Sequence, residues 1–214
     1  MYEYVDDKEF VSKMRNLCGK IMQDLCHTLK TKYNIGANFF LVGSGARRLI
    51  TQNASQPVDL DYNLKIVKCD NIKDCRGIKE KVQKAFNIVL EDYDLDDCHD
   101  STSSLTSGLI YFTEGNRTGF SMDVCIIKAN ANGNYSRLIH EKHGYWSLDQ
   151  YYWCEAKNSG NLSKKISSIK HYGYWDDVRD QYLEIKNHYL TRGDHDHPSF
   201  ICYIEAVNNV YNSL

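Results

Sequence analysis

Between Val58 and Lys65 apolar and polar residues alternate without a break, with Val58, Leu60, Tyr62 and Leu64 on one register and Asp59, Asp61, Asn63 and Lys65 on the other. A period of two belongs to a β-strand, whose successive side chains leave opposite faces. The segment is therefore predicted to be a strand with one face on a core and the other in polar surroundings. The same alternation sets the carboxylates of Asp59 and Asp61 on one face. Whatever else this chain builds, it must supply a sheet that is covered on one side only.

The flanking patterns suggest how that sheet is completed. Phe10, Val11, Met14, Leu17, Cys18, Ile21, Met22, Leu25 and Leu29 keep a three-four spacing, which predicts an amphipathic helix over residues 7–32. Asn38-Phe39-Phe40-Leu41-Val42 is a short apolar run that stops at Gly43-Ser44-Gly45, the pattern of a buried strand turning sharply into a helix. Ile78, Val82, Phe86 and Val89 predict a helix over 72–90, and the acidic run from Glu91 to Asp97 a solvated loop. Leu109–Thr113 and Gly119–Ile127 read as two strands joined through Glu114-Gly115-Asn116-Arg117, paired as a hairpin.

From Asn134 onward the strand signal stops. Helices are expected near Ser147, with Gln150 completing a capping box, near Leu162, near Tyr174 and at Pro198. The expected fold class is α+β: a mixed sheet flanked by helices over 1–133, and a helical part over 134–214 packed on it.

Composition narrows the functional classes. Of 214 residues 42% are apolar and 25% charged, with two prolines, the profile of an ordered globular chain. The net charge of −2 gives no basic excess for indiscriminate binding to nucleic acid or an anionic membrane. Eight cysteines are scattered, several at core positions, and read as reduced thiols. The first residues lack the basic start and apolar run of a secretion signal, and no stretch reaches membrane-spanning length, so a cytoplasmic protein is expected.

Three aspartates carry the chemistry. Asp59 and Asp61 share a strand face, and Asp123, inside the run Gly119–Ile127, supplies a third carboxylate if its strand lies alongside. Phosphoryl chemistry on a triphosphate needs divalent ions held by carboxylates from several directions, which these three satisfy. Gly43 and Gly45 let backbone N–H groups approach a phosphate, Ser44 adds a hydroxyl, and the following helix offers its positive end. Arg47 and Arg48 lie about 100° apart on a helix, so one of them is expected to face phosphate, and Arg47 is preferred.

In this order the motifs resemble the nucleotidyltransferase superfamily, which includes DNA polymerase beta and the minimal and antibiotic nucleotidyltransferases. Leu41-Val42-Gly43-Ser44 looks like its strand and Gly-Ser turn, Asp59-Leu60-Asp61 like its paired acids, and Met122-Asp123-Val124 like its later third acid. The resemblance spans residues 37–127. It implies a nucleotidyltransferase core binding a nucleoside triphosphate at Gly43, Ser44 and Arg47, with two Mg2+ ions, or Mn2+, on Asp59, Asp61 and Asp123. It also implies in-line attack of an acceptor hydroxyl at the α-phosphorus, release of pyrophosphate, and Asp123 as the group that takes the hydroxyl proton. A small-molecule acceptor is preferred over RNA or protein. The second reading is a binding module of the same fold without turnover, an antitoxin or regulatory partner.

Weaker signals have simpler explanations. The aromatics Tyr145, Trp146, Tyr151, Tyr152, Trp153, Tyr172, Tyr174 and Trp175 suit core packing better than base stacking. Lys157, Lys164, Lys165 and Lys170 suit a solvated face. Asp194-His195-Asp196-His197 suits the start of the helix expected at Pro198.

Overall fold

The computed structural model describes residues 1–130, 134–145, 147–155, 162–190 and 198–214. Its elements in chain order are β1 (Tyr2–Tyr4), α1 (Lys8–Tyr33), β2 (Gly36–Leu41), α2 (Gly43–Arg47), β3 (Thr51–Asn53), β4 (Val58–Lys68) and α3 (Cys75–Asp92). There follow β5 (His99–Asp100), β6 (Leu105–Thr106), β7 (Phe120–Ala129), β8 (Tyr135–Glu141), β9 (Gln150–Glu155), α4 (Leu162–His171), α5 (Trp175–Leu190) and α6 (Ser199–Asn212). The chain forms two compact units, one of residues 7–48 and 57–156, the other of 1–6, 49–56 and 157–214. The expected α+β class with a mixed sheet and flanking helices is what the larger unit displays.

In that unit α1 begins where the Asp7 carboxylate accepts from the Phe10 N–H at 2.9 Å and ends at Asn34, in the left-handed region at φ 52°. The predicted stripe is buried, from Phe10 through Met14, Cys18, Ile21, Met22 and Leu25 to Leu29. α3 starts on a comparable cap, Asp74 to the Gly77 N–H, and buries Ile78, Val82, Phe86 and Val89. The sheet runs β2-β4-β7-β6-β5, with β8 on the other stretch of β7 and β9 beyond it. β4 and β7 pair in parallel, which requires a crossover, and α3 lies in the connection between them. The remaining pairs of this sheet are antiparallel.

The alternation at β4 holds along the strand. Val58, Leu60, Tyr62, Leu64 and Ile66 are buried, while Asp59, Asp61, Asn63 and Lys65 are exposed or half-buried. β7 repeats it, with Phe120, Met122, Val124 and Ile126 in the core. One face is thus sealed by the helices, and full burial of the four aliphatic side chains of β4 contributes about 6–12 kcal/mol before conformational entropy is counted.

Three expectations fail here. The strand signal does not stop at Asn134: β8 and β9 extend the sheet to Glu155, so residue 134 immediately precedes a strand of the sheet. The pattern was obscured because the buried face of β8 is Ser136, Leu138 and His140, two of them polar. The expected helix at Ser147 is a turn at Ser147 and Leu148, and Gln150 opens β9. The predicted hairpin shrinks to a single bridge between Ile110 and Phe120, and the strand beside Asp123 is instead the two-residue β6.

The smaller unit packs α4, α5 and α6 around Ile169, Val178, Tyr182, Cys202, Ala206 and Val207. The helices expected near Leu162, Tyr174 and Pro198 are present, the last with Pro198 as its N-cap. The antiparallel pair β1–β3 belongs to this unit too. Asn187 of α5 bonds both the N–H and the carbonyl of Tyr2, at 2.6 and 2.9 Å, and Lys186 donates to the Thr51 hydroxyl at 2.7 Å. Trp146, Lys157 and the Asp194–His197 segment lie outside the described residues. All eight cysteines are free, and among the described residues no helix is long and apolar enough to cross a membrane.

Candidate active site

The open face of β4 and β7 gathers the three aspartates. In the parallel register Asp59 lies opposite Ser121 and Asp61 opposite Asp123. Register partners point to the same side of a sheet, so Asp61 and Asp123 present their carboxylates together, with Asp59 two residues back along β4. Ser121 Oγ donates to Asp59 Oδ1 at 2.5 Å, and Thr106 Oγ1 donates to Asp123 Oδ1. Among the described residues no three His, Cys, Asp or Glu side chains already converge at metal-ligand spacing. Two of the three carboxylates are turned onto hydroxyls.

The electrostatics follow from this crowding. Burial raises the Asp61 carboxyl above its ordinary value, and the charges of Asp123 and then Asp59 raise it further, while Arg137 and Arg47 pull the other way. Asp123 is also raised, first by burial and also by Asp59, against the lowering effect of the Thr106 hydrogen bond. A half-buried patch of like charge is unfavourable by itself, and it is a place where a cation is stabilised.

The Gly43-Ser44-Gly45 turn closes one side of this patch. Val42 donates its N–H to the Asp61 carbonyl at 2.8 Å, which anchors the turn to β4 beside the aspartate. Gly43 has φ +61°, and a Cβ there would fall 2.0 Å from Asp61 Oδ2, so backbone and carboxylate meet at a distance only glycine allows. A Cβ on Gly45 would meet Leu60 Cδ2 at 2.8 Å, which seats the turn against the covered side as well. The helix that follows has five residues, so its macrodipole is small, and what the turn offers an anion is chiefly its small residues and N–H groups. Arg47 turns back and donates through Nη1 to the Gly43 carbonyl at 2.7 Å, and its charge acts on Asp61. Arg48 is the C-cap, at φ 60°.

Some neighbours of the aspartates escaped the sequence reading. Ser121 was in principle legible, being two residues from Asp123 on the same strand. Thr106 was not, because a two-residue strand has no period. Arg137 stands on β8, opposite Ile127 of β7 and on the open side, where it acts on Asp61 and on Cys125. Of the aromatics expected in the core, Tyr145, Tyr152, Tyr172 and Tyr174 are exposed, while Tyr151 and Trp153 share the covered face of β9. Trp153 donates Nε1–H to the Ile72 carbonyl at 2.8 Å, and Tyr151 stacks on His140 at 4.1 Å, both structural uses. Lys170 sits over the Trp175 ring at 4.6 Å in the smaller unit.

No protein-family model matches the chain, and no curated protein matches it by sequence. Solved structures do match. CdnC of E. coli MS115-1, solved in complex with HORMA-deltaN, is 15% identical, with a TM-score of 0.61, over 97% of this chain and 60% of that one. The GTP-bound form of DncV from Vibrio cholerae is 14% identical, with a TM-score of 0.56, over 85% of this chain and 46% of that one. The CdnE cyclic dinucleotide synthase of Elizabethkingia meningoseptica, solved with GTP and Apcpp, is 14% identical, with a TM-score of 0.50, over 91% and 69%. The chain therefore has the nucleotidyltransferase fold, and it spans 60% and 46% of the length of the first two of these proteins.

Proposed function

We propose that this chain is a metal-dependent nucleotidyltransferase that moves a nucleoside monophosphate from a triphosphate to an acceptor hydroxyl and releases pyrophosphate. The observation that carries this reading is the register of Asp61 with Asp123 across β4 and β7, with Gly43 held against Asp61. The solved neighbours with GTP bound support it. The donor set fits Mg2+: three carboxylates, no obligatory thiol or imidazole, and a half-buried anionic patch that a hard cation would neutralise. Mn2+ fits the same donors.

Asp59 and Asp61 would hold the ion that accompanies the triphosphate, and Asp123 with them the ion at the acceptor. Bound there, Mg2+ would offset charge on the phosphates and make the acceptor hydroxyl more acidic. Gly43 and Ser44 receive the triphosphate with backbone N–H and hydroxyl, and Arg47 adds positive charge beside them. Asp123 takes the acceptor's proton on Oδ2, since Oδ1 accepts from Thr106. The acceptor oxygen then bonds to the α-phosphorus as the bond to the β-phosphate's bridging oxygen breaks. A small-molecule acceptor is preferred because the net charge of −2 gives RNA little general attraction. Eight free thiols support a cytoplasmic setting.

Incubation with each α-phosphate-labelled triphosphate, Mg2+ and a cell extract should label one acceptor class in the wild type and none in Asp59→Ala or Asp61→Ala. Triphosphate binding that survives unchanged without metal and without both carboxylates would refute the proposal.

A further inference from the structure

We infer that Arg15, on the helix side of the sheet, is the positioning residue of this site: its guanidinium holds α2 so that Gly43 stays against Asp61. This rests on the nucleotidyltransferase reading for its consequence, but its geometry stands apart from it.

A helix of five residues cannot sustain itself, because nucleation fixes several residues for very few internal bonds. α2 must be held from outside, and its carbonyls show how. The Val42 carbonyl accepts from the Ala46 N–H and that of Ser44 from the Arg48 N–H. The Gly43 carbonyl accepts from Arg47 Nη1, a residue of α2 itself. The Gly45 carbonyl accepts from Arg15 Nη2, the one of these donors that comes from a different layer.

Arg15 lies on α1, one residue from Met14 and three from Cys18, both fully buried against the sheet. Its charge reaches the phenol of Tyr62, whose side chain is on the covered face of β4 and 2% exposed. Arg15 therefore contacts α2 from behind, while the aspartates occupy the front. Gly45, whose missing Cβ leaves room for Leu60 and Leu41, and Gly43, whose missing Cβ leaves room for Asp61, are respectively the back and front contacts of the same turn. Gly45 is two residues from Gly43 in one short helical turn, so holding its carbonyl holds both contacts. Arg15 Nε is buried without a hydrogen-bond partner among the described residues, so the guanidinium is committed to this place by its Nη bond and by packing. A charged donor on a half-buried carbonyl is among the stronger single hydrogen bonds a fold can use.

The test uses the full chain with Arg15→Ala and Arg15→Lys, each checked for a wild-type circular dichroism spectrum. Hydrogen exchange at residues 43–48 should speed up by about tenfold in Arg15→Ala, with the α3 amides unchanged, the loss corresponding to one charged hydrogen bond. Binding of Mg2+ with a triphosphate should weaken by a similar factor, be partly kept in Arg15→Lys, and be partly restored to Arg15→Ala by low concentrations of guanidinium ion, which a merely destabilised fold would not show. If Arg15→Ala does not fold, Arg15→Lys carries the same two measurements. Unchanged exchange at 43–48, or faster exchange with unchanged binding, overturns the positioning role. A wild type that binds no triphosphate while exchange responds as expected overturns the nucleotide reading, and the role built on it, while leaving the α1–α2 tether established.

Discussion

Asp61 on β4 and Asp123 on β7 are direct partners across a parallel pairing, each with its carboxyl raised by burial and by a neighbouring carboxylate. Two like charges placed opposite each other cost stability unless something neutralises them. Asp61→Asn and Asp123→Asn should therefore stabilise the metal-free protein by about 0.5–1 kcal/mol, read from urea unfolding midpoints. The same variants should lose Mg2+-dependent triphosphate binding. Stability falling in both variants would mean that the carboxylates hold the fold and not a ligand.

The same repulsion gives a pH dependence of definite sign. A carboxyl whose folded value lies above its unfolded value stabilises the fold below the unfolded value and loses that contribution as pH rises through the folded one. For Asp61 and Asp123 the window opens at the ordinary carboxylate value and closes at the raised ones. The increase in melting temperature on adding Mg2+ should accordingly be small at the acid end of that window and grow as both groups ionise, because the cation binds the charged form. An increment independent of pH would place the ion elsewhere.

Gly43→Ala tests the contact from the other side. The new methyl would fall 2.0 Å from Asp61 Oδ2 on a residue at φ +61°, so turn and carboxylate must separate. A destabilisation of about 2 kcal/mol is expected from the left-handed conformation and the overlap together, with triphosphate binding lost. Ala at Gly115, also at positive φ but with open space around its Cβ, should cost only the conformational part and leave binding intact.

Much of this site was readable in the chain because it depends on local patterns. The alternation at Val58–Lys65 fixed which side Asp59 and Asp61 occupy, and the Gly43-Ser44-Gly45 stop marked the turn. Asp123 was identifiable as a strand residue, but its position opposite Asp61 depends on the β4–β7 register, which no local pattern states. Arg15 and Arg137 were invisible for a related reason: an arginine on an amphipathic helix or on an unrecognised strand looks like any solvated charge until the tertiary partner is known. β8 was missed because Ser136 and His140 occupy its buried face, where Ser136 donates to Asn130 and His140 meets Asp100, 40 residues away in sequence. β1 and β3, three residues each, belong with helices more than a hundred residues away.

The thiols separate by burial. Cys18 is fully buried and Cys98 nearly so, and desolvation pushes both up to about 12, so neither supplies thiolate near neutrality. Cys154 is exposed on β9. At pH 8 a maleimide should modify Cys154 within minutes and reach Cys18 and Cys98 only on unfolding, as peptide mass spectrometry would show. Early labelling of Cys18 would contradict the packing of α1 on the sheet.

Lys79 tests what joins the strands of the far edge to the helices. Its side chain is 2% exposed, yet its ammonium lies 2.7 Å from Asp100 Oδ1 and donates to the Ser101 carbonyl at 2.7 Å. Asp100 also meets His140 Nδ1 at 2.6 Å, and His140 Nε2 meets Asp149 at 2.9 Å, so α3, β5, β8 and the approach to β9 share one buried polar chain. Burial lowers the Lys79 ammonium from its ordinary value while Asp100 opposes that shift, so the charge is retained through its partner. Lys79→Met leaves Asp100 with His140 as its remaining side-chain partner and should cost about 1–3 kcal/mol. Asp100→Asn strands Lys79 instead, and the double variant should cost less than the sum of the two, since each single change already breaks the pair. Denaturant unfolding of the three variants measures that coupling. Strict additivity would show that the pair contributes nothing as a pair.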